Sequence, residues 1–89
     1  MLRKQIEIIN KLGMHARAAA KFVTLAQTFK SDIKLKRDDQ EVNGKSIMGV
    51  MMLAAAKGIT IELVIDGDDE QQAVELLCQL INNRFDEDE

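Results

Sequence analysis

The chain contains no proline, tryptophan or tyrosine, and it has only one histidine, one cysteine and three phenylalanines. Each shortage excludes something. A lone Cys78 cannot form an internal disulfide, and one His with one Cys falls short of a metal site built from the usual nitrogen and sulfur ligands. No metal and no cofactor is therefore expected. So few aromatic rings offer no stacking platform for single-stranded nucleic acid. Long apolar runs are missing too. Arg3, Lys4 and Glu7 interrupt the opening segment, so no signal peptide is read there, and no stretch approaches membrane-spanning length. The expectation is a cytoplasmic protein without membrane insertion. At 89 residues there is room for one domain, 1–89, and too little bulk for a deep enclosed active site. Functional groups belong on the surface.

Apolar residues make up 46% of the chain and charged residues 30%, as in an ordinary globular domain. The charge is unevenly spread. Residues 1–45 carry ten Lys/Arg against five Asp/Glu, whereas residues 46–89 carry two against ten. An acidic partner is steered toward the first half, although the basic excess is too modest to favour nucleic acid.

Hydrophobic periodicity sets the order of elements. Leu2, Lys4, Ile6 and Ile8 alternate with Arg3, Gln5, Glu7 and Ile9, which predicts a strand. After a break at Asn10–Met14, where Gly13 offers a turn, Ala19, Phe22, Val23 and Ala26 fall at helical spacing. Ile33 and Leu35 mark a second strand, and the turn Asp38-Asp39-Gln40 leads to a third around Glu41–Asn43. Ser46 caps a short helix over residues 47–54, which Gly58 stops. Ile59, Ile61, Leu63 and Ile65 form the fourth strand. Asp68 and Gln71 resemble a capping box for a last helix that buries Ala73, Leu76, Leu77, Leu80 and Ile81. Cys78 lies beside that stripe as a small core-edge residue. The acidic run Asp86–Glu89 reads as a solvated, frayed end. The resulting order, β-α-β-β-α-β-α, predicts an α+β fold: an open-faced two-layer sandwich with a four-stranded antiparallel sheet and three helices on one face.

His15 falls at the junction of the Gly13 turn and the first helix. A helix start leaves backbone N–H groups without partners and carries partial positive charge. A phosphoryl group on His15 would meet the N–H groups of Ala16 and Arg17, with the Arg17 guanidinium adding a fork of donors. The same positive surroundings disfavour imidazolium and keep the ring nucleophilic. Taken alone, a histidine before a helix also fits a plain cap, and His-x-Arg is a short motif.

The wider pattern is more specific. Asn10-Lys11-Leu12-Gly13-Met14-His15-Ala16-Arg17 resembles the active-site segment of the histidine-containing phosphocarrier protein (HPr) family of the bacterial phosphotransferase system. Lys45-Ser46-Ile47-Met48-Gly49-Val50-Met51 is similar to that family's second helix, and Ala56-Lys57-Gly58 before an alternating strand also matches. The resemblance implies phosphorylation of His15 at Nδ1, donation by enzyme I, acceptance by enzyme IIA proteins, and a phosphate-binding role for Arg17. A monomer is expected, and with no second titratable group placed to turn over a substrate the chain reads as a carrier recycled by other proteins rather than an enzyme. Ala18 departs from the family, where proline is usual; it keeps a good helix former and one more N–H donor. The acidic end and the Asn10–Met14 segment resemble the nitrogen-related (NPr) branch, whereas the Ser46 segment resembles regulated HPr more broadly. Sugar transport and nitrogen regulation both stay open.

Ile47, Met48, Val50, Met51, Met52 and Leu53 leave no polar face on a short helix, more than a two-layer domain can bury. Val50 and Leu53 suit the core. Ile47, Met48 and Met51 suit a docking patch for several partners, ringed by Arg17, Lys21 and Lys45. In the resembling family these positions contact both donor and acceptor proteins. Ser46 is explained structurally as an N-cap. In that family the corresponding serine is also a target of HPr kinase/phosphorylase in some bacteria, and a phosphate there would place about two negative charges in the patch. Two other functions compete. A regulatory binding module of the same fold, controlling a transcription factor or enzyme, would need no histidine at position 15. A nucleic-acid-binding domain would need aromatics or a strong basic face.

Overall fold

Four strands and three helices follow one another as β1 (Leu2–Glu7), α1 (Ala16–Ala26), β2 (Asp32–Arg37), β3 (Gln40–Asn43), α2 (Ile47–Met52), β4 (Thr60–Asp66) and α3 (Glu70–Asn82). A single turn, Arg84–Asp86, comes after α3. The computed structural model describes residues 1–53 and 55–87. The strands form one antiparallel sheet in the order β1-β4-β2-β3. The expected α+β open-faced sandwich, with its three helices on one face, is the observed architecture.

The register explains why alternation was a reliable guide. Ile6 pairs with Ile61 across β1–β4, while Ile33 and Leu35 pair with Ile65 and Leu63 across β2–β4. Because side chains alternate along a strand, this pairing puts all six on the helix side, where all are buried. The opposite face carries Arg3 paired with Glu62 at 3.4 Å and Lys34 facing Glu41 at 3.9 Å. From the helices, Ala18, Ala19, Phe22, Val23 and Ala26 of α1 and Ala73, Leu77 and Ile81 of α3 close the core. All three phenyl rings, Phe22, Phe29 and Phe85, are buried. Leu76 and Leu80, expected inside, are only half-buried and pack against the core from its margin, as does Cys78. Burial pushes the Cys78 thiol above its ordinary value, with the charge of Lys4 opposing the shift.

Two helix boundaries differ from expectation. The short helix ends at Met52, followed by Leu53, and the expected position 54 lies outside the described residues. At α3, Asp69 rather than Asp68 is the cap position, and its side chain makes no capping bond. Its carboxylate reaches back to the loop after α1 instead, accepting from the Lys30 N–H at 2.8 Å, the Ser31 N–H at 3.0 Å and the Ser31 hydroxyl. Those donors, the Ser31 hydroxyl first, hold the Asp69 carboxyl below its ordinary value against partial burial.

The segment after α3 is the largest correction. Rather than fraying as expected from its acidity, the chain turns through three consecutive left-handed residues, Arg84, Phe85 and Asp86, at φ 56°, 53° and 63°. Left-handed backbone costs L-residues roughly 1–2 kcal/mol each. It is offset here by Phe85, whose ring is fully buried. Asp86 is exposed, and Glu87, next in the chain, folds back onto the start of α1. The rest of the expected frayed run, residues 88–89, lies outside the described residues.

Candidate phosphoryl-transfer site

The approach to α1 is built by a tight turn. The Gly13 N–H donates to the Asn10 carbonyl at 3.1 Å, and the Asn10 side-chain amide donates to the Gly13 carbonyl at 2.8 Å. Gly13 sits at φ 66°, and a Cβ there would lie 2.6 Å from the Ala55 carbonyl oxygen and 2.8 Å from the Ala56 Cα. Only glycine fits. The next residue, Met14, donates its N–H to the Ala55 carbonyl at 2.8 Å and buries its side chain. These contacts fix where α1 begins.

His15 is the N-cap of α1, in extended backbone at φ −74° and ψ 179°. Its carbonyl accepts the Ala19 N–H at 2.8 Å, and its Nδ1 accepts the Arg17 N–H at 3.3 Å. An N-cap side chain satisfies one of the donors a helix start leaves free, and imidazole is doing so with a ring nitrogen. About a quarter of the His15 side chain (27%) is exposed. The expected neighbours, Ala16 and Arg17, are both exposed on the first turn of α1.

The surroundings are not purely positive, as the helix start alone suggested. The ring's other nitrogen, Nε2, contacts a Glu87 carboxylate oxygen, and the second Glu87 oxygen accepts from the fully buried Asn10 amide at 2.9 Å. Partial burial pushes the Glu87 carboxyl up. Hydrogen bonds from Asn10 and His15, with the nearby charge of Arg17, outweigh it and hold the group below its ordinary value. A nitrogen that accepts an N–H carries a lone pair, and one that faces a carboxylate carries a proton. Both contacts assign the same tautomer, with hydrogen on Nε2 and a lone pair on Nδ1.

Packed against α1 is α2, which carries an apolar face. Ser46 caps the helix, its hydroxyl oxygen accepting the Gly49 N–H at 3.1 Å. Val50 and Leu53 are fully buried, whereas Ile47, Met48, Met51 and Met52 are exposed, Met48 to 75%. Leu12, just before the Gly13 turn, is exposed as well. The two expected flanking lysines turn inward. Lys21 donates to the Phe85 carbonyl at 2.8 Å and Lys45 to the Phe29 carbonyl at 2.7 Å. Their ammonium groups hold the fold together before they meet any partner. Sequence reasoning gave no role to Glu87 and saw Asn10 only as turn and motif.

A reachable imidazole with its lone pair held at a helix start, beside an exposed apolar helix, defines a class of protein. It is a small carrier that presents one nucleophile to larger proteins. Comparison with known proteins specifies the class. Residues 2–83 match the family described as the PTS HPr component phosphorylation site. The chain is 58% identical over 89 residues to the phosphocarrier protein HPr of Neisseria meningitidis serogroup A, covering all of both chains, and 55% identical over 89 residues to that of Cupriavidus necator, again covering all of both. The crystal structure of HPr-C-His from Thermoanaerobacter tengcongensis superposes with a TM-score of 0.96 at 45% identity, covering all of both chains. The chain belongs to the HPr family and is a phosphocarrier of the phosphoenolpyruvate-dependent phosphotransferase system, transiently phosphorylated on histidine rather than turning over a substrate. Among the described residues no helix is long and apolar enough to cross a membrane.

Proposed function

We propose that His15 Nδ1 takes a phosphoryl group from enzyme I and hands it to enzyme IIA proteins. The observation that carries this reading is the Arg17 N–H on Nδ1, which leaves that nitrogen unprotonated and aimed at the helix start. A phosphoryl group bonded there enters the field of the first-turn amides of Ala16 and Arg17. The Arg17 guanidinium adds charge from an exposed position. Phosphoryl transfer asks chiefly for positioning and charge stabilisation. An open site meets that need without trapping the group.

Donor and acceptor dock in turn on one footprint, centred on Ile47, Met48 and Met51. Leu12 and Met52 extend it. Exposed apolar clusters of this kind mark interfaces, and flexible Met side chains adapt to more than one partner. Lys21 and Lys45 border the footprint only if they release the Phe85 and Phe29 carbonyls. Ser46 is a regulatory phosphosite for an HPr kinase/phosphorylase: its phosphate would be tolerated by a helix start yet would repel acidic partners. The chain acts as one domain over 1–89, as a monomer, in the cytoplasm.

The test is reconstitution. The chain is incubated with labelled phosphoenolpyruvate and either sugar-type or nitrogen-type enzyme I, and then with enzyme IIA. Label should pass through the chain to enzyme IIA, and the enzyme I that loads it faster identifies the branch. A chain that takes no label from either enzyme would contradict the reading.

A further inference from the structure

Nothing in the carrier role as stated requires an acid on the far side of the ring, yet the structure builds one. Three elements converge to do so. Phe85, fully buried, anchors the left-handed turn after α3. Lys21 of α1 clasps that turn through the Phe85 carbonyl at 2.8 Å, with Asp86 at 3.9 Å. Asn10, fully buried, ties one Glu87 oxygen to the Gly13 turn at 2.9 Å. The remaining Glu87 oxygen is left on His15 Nε2.

We propose that Glu87 is a positioning residue for His15, holding the imidazole as its Nε2–H tautomer and stabilising the positive charge that the ring acquires when Nδ1 is phosphorylated. The inference rests on the reading of His15 as phosphoryl acceptor. The Nδ1 lone pair forms a bond to phosphorus as the donor's N–P bond breaks, and that bond's electron pair returns to the donor phosphohistidine. No proton leaves. The ring, still carrying hydrogen on Nε2, becomes an N-phosphorylated imidazolium, and its charge lies against the Glu87 carboxylate. On onward transfer the N–P pair returns to Nδ1 and the ring is neutral again. A carboxylate that orients a histidine and stabilises its cation is the arrangement that serves catalytic triads. Here it sets how tightly the carrier holds its cargo. Glu87 is kept ionised for this by Asn10, His15 and the Arg17 charge, which outweigh its partial burial.

The groups on the ring are thus the Arg17 N–H and Glu87, and the Arg17 charge acts on the Glu87 carboxylate. The decisive variant is Glu87→Gln, which keeps the size and an acceptor oxygen while removing the charge. Two measurements are made on the intact chain. In nitrogen-15 NMR of the unphosphorylated parent, Nδ1 should appear unprotonated and the Nε2 proton should be shifted far downfield by a charged acceptor. In Glu87→Gln that proton should move upfield and exchange faster. In the second measurement, the equilibrium between phosphorylated enzyme I and the chain should shift about tenfold toward enzyme I in the variant, as expected for losing an opposite charge beside the ring. A proton on Nδ1 in the parent, or an Nε2 signal unchanged in the variant, would overturn the positioning role. An unchanged equilibrium would overturn the charge-stabilising role. If the parent took no phosphoryl group, the carrier reading would fail, and the NMR result would still decide the contact.

Discussion

Two helices of this molecule begin with the same device and put it to different uses. His15 caps α1 and Ser46 caps α2, each in extended backbone, each accepting a first-turn N–H through its side chain. At Ser46 the bond is the shorter, 3.1 Å to Gly49, and it fully explains the residue as a cap. At His15 the bond is longer, 3.3 Å to Arg17, and it occupies only one of two ring nitrogens. The other nitrogen meets Glu87, delivered from the far end of α3 by a left-handed turn. A cap is thus structural or reactive according to what holds the rest of its side chain.

The comparison breaks most clearly at α1. His15→Ala should abolish phosphoryl uptake from enzyme I while circular dichroism shows an intact fold; retained uptake would remove His15 from its role. Arg17→Ala should slow uptake about tenfold, the equivalent of one exposed charge-assisted hydrogen bond, measured by rapid-quench labelling. At α2 the effects are smaller and of a different kind. Ser46→Asp should slow loading severalfold at low salt by placing a negative charge in the docking patch, and added salt should shrink the difference. Equal loading rates for Ser46→Asp and the parent would count against regulation there. Ser46→Ala should lower stability by about 1 kcal/mol in urea titrations, the usual worth of an N-cap.

The third helix start sharpens the contrast, with the smallest effect of the set. Asp69 occupies the cap position of α3 yet gives its carboxylate to Lys30 and Ser31. Its folded pKa lies below the unfolded value of 3.8, so its stabilisation is complete above that value and disappears as pH falls through the folded one. The gap in Tm between the parent and Asp69→Asn should therefore be constant near neutral pH and close in strong acid. A gap that widened on acidification would contradict the assignment.

These three caps also mark where the sequence was legible. Ser46 and His15 could be read because an N-cap and the helix it starts are neighbours in the chain, and because a period-two pattern such as Ile61, Leu63, Ile65 has one meaning when a single sheet face is buried. Asp69 was passed over because Asp68 and Gln71 satisfy the local capping spacing, while the true partners of Asp69 stand nearly forty residues earlier in the chain. The same holds for Glu87, whose partners Asn10 and His15 are more than seventy residues away. One signal did point to it. Phe85 lies four residues after Ile81 and continues the apolar stripe of α3, so the acidic residues beside it could not simply fray. The lysines show the reverse limit. Charge patterning placed Lys21 and Lys45 around the patch, but a long flexible side chain within reach of an unpaired carbonyl turns inward to it.

The central claim is that one ring nitrogen of His15 is the nucleophile because the other is held as a donor. It is tested most directly by nitrogen-15 and phosphorus-31 NMR of the chain after loading by enzyme I and phosphoenolpyruvate. The account predicts a nitrogen–phosphorus coupling at Nδ1 with a proton still on Nε2. Coupling at Nε2, or phosphorus bound to any other residue, would contradict it.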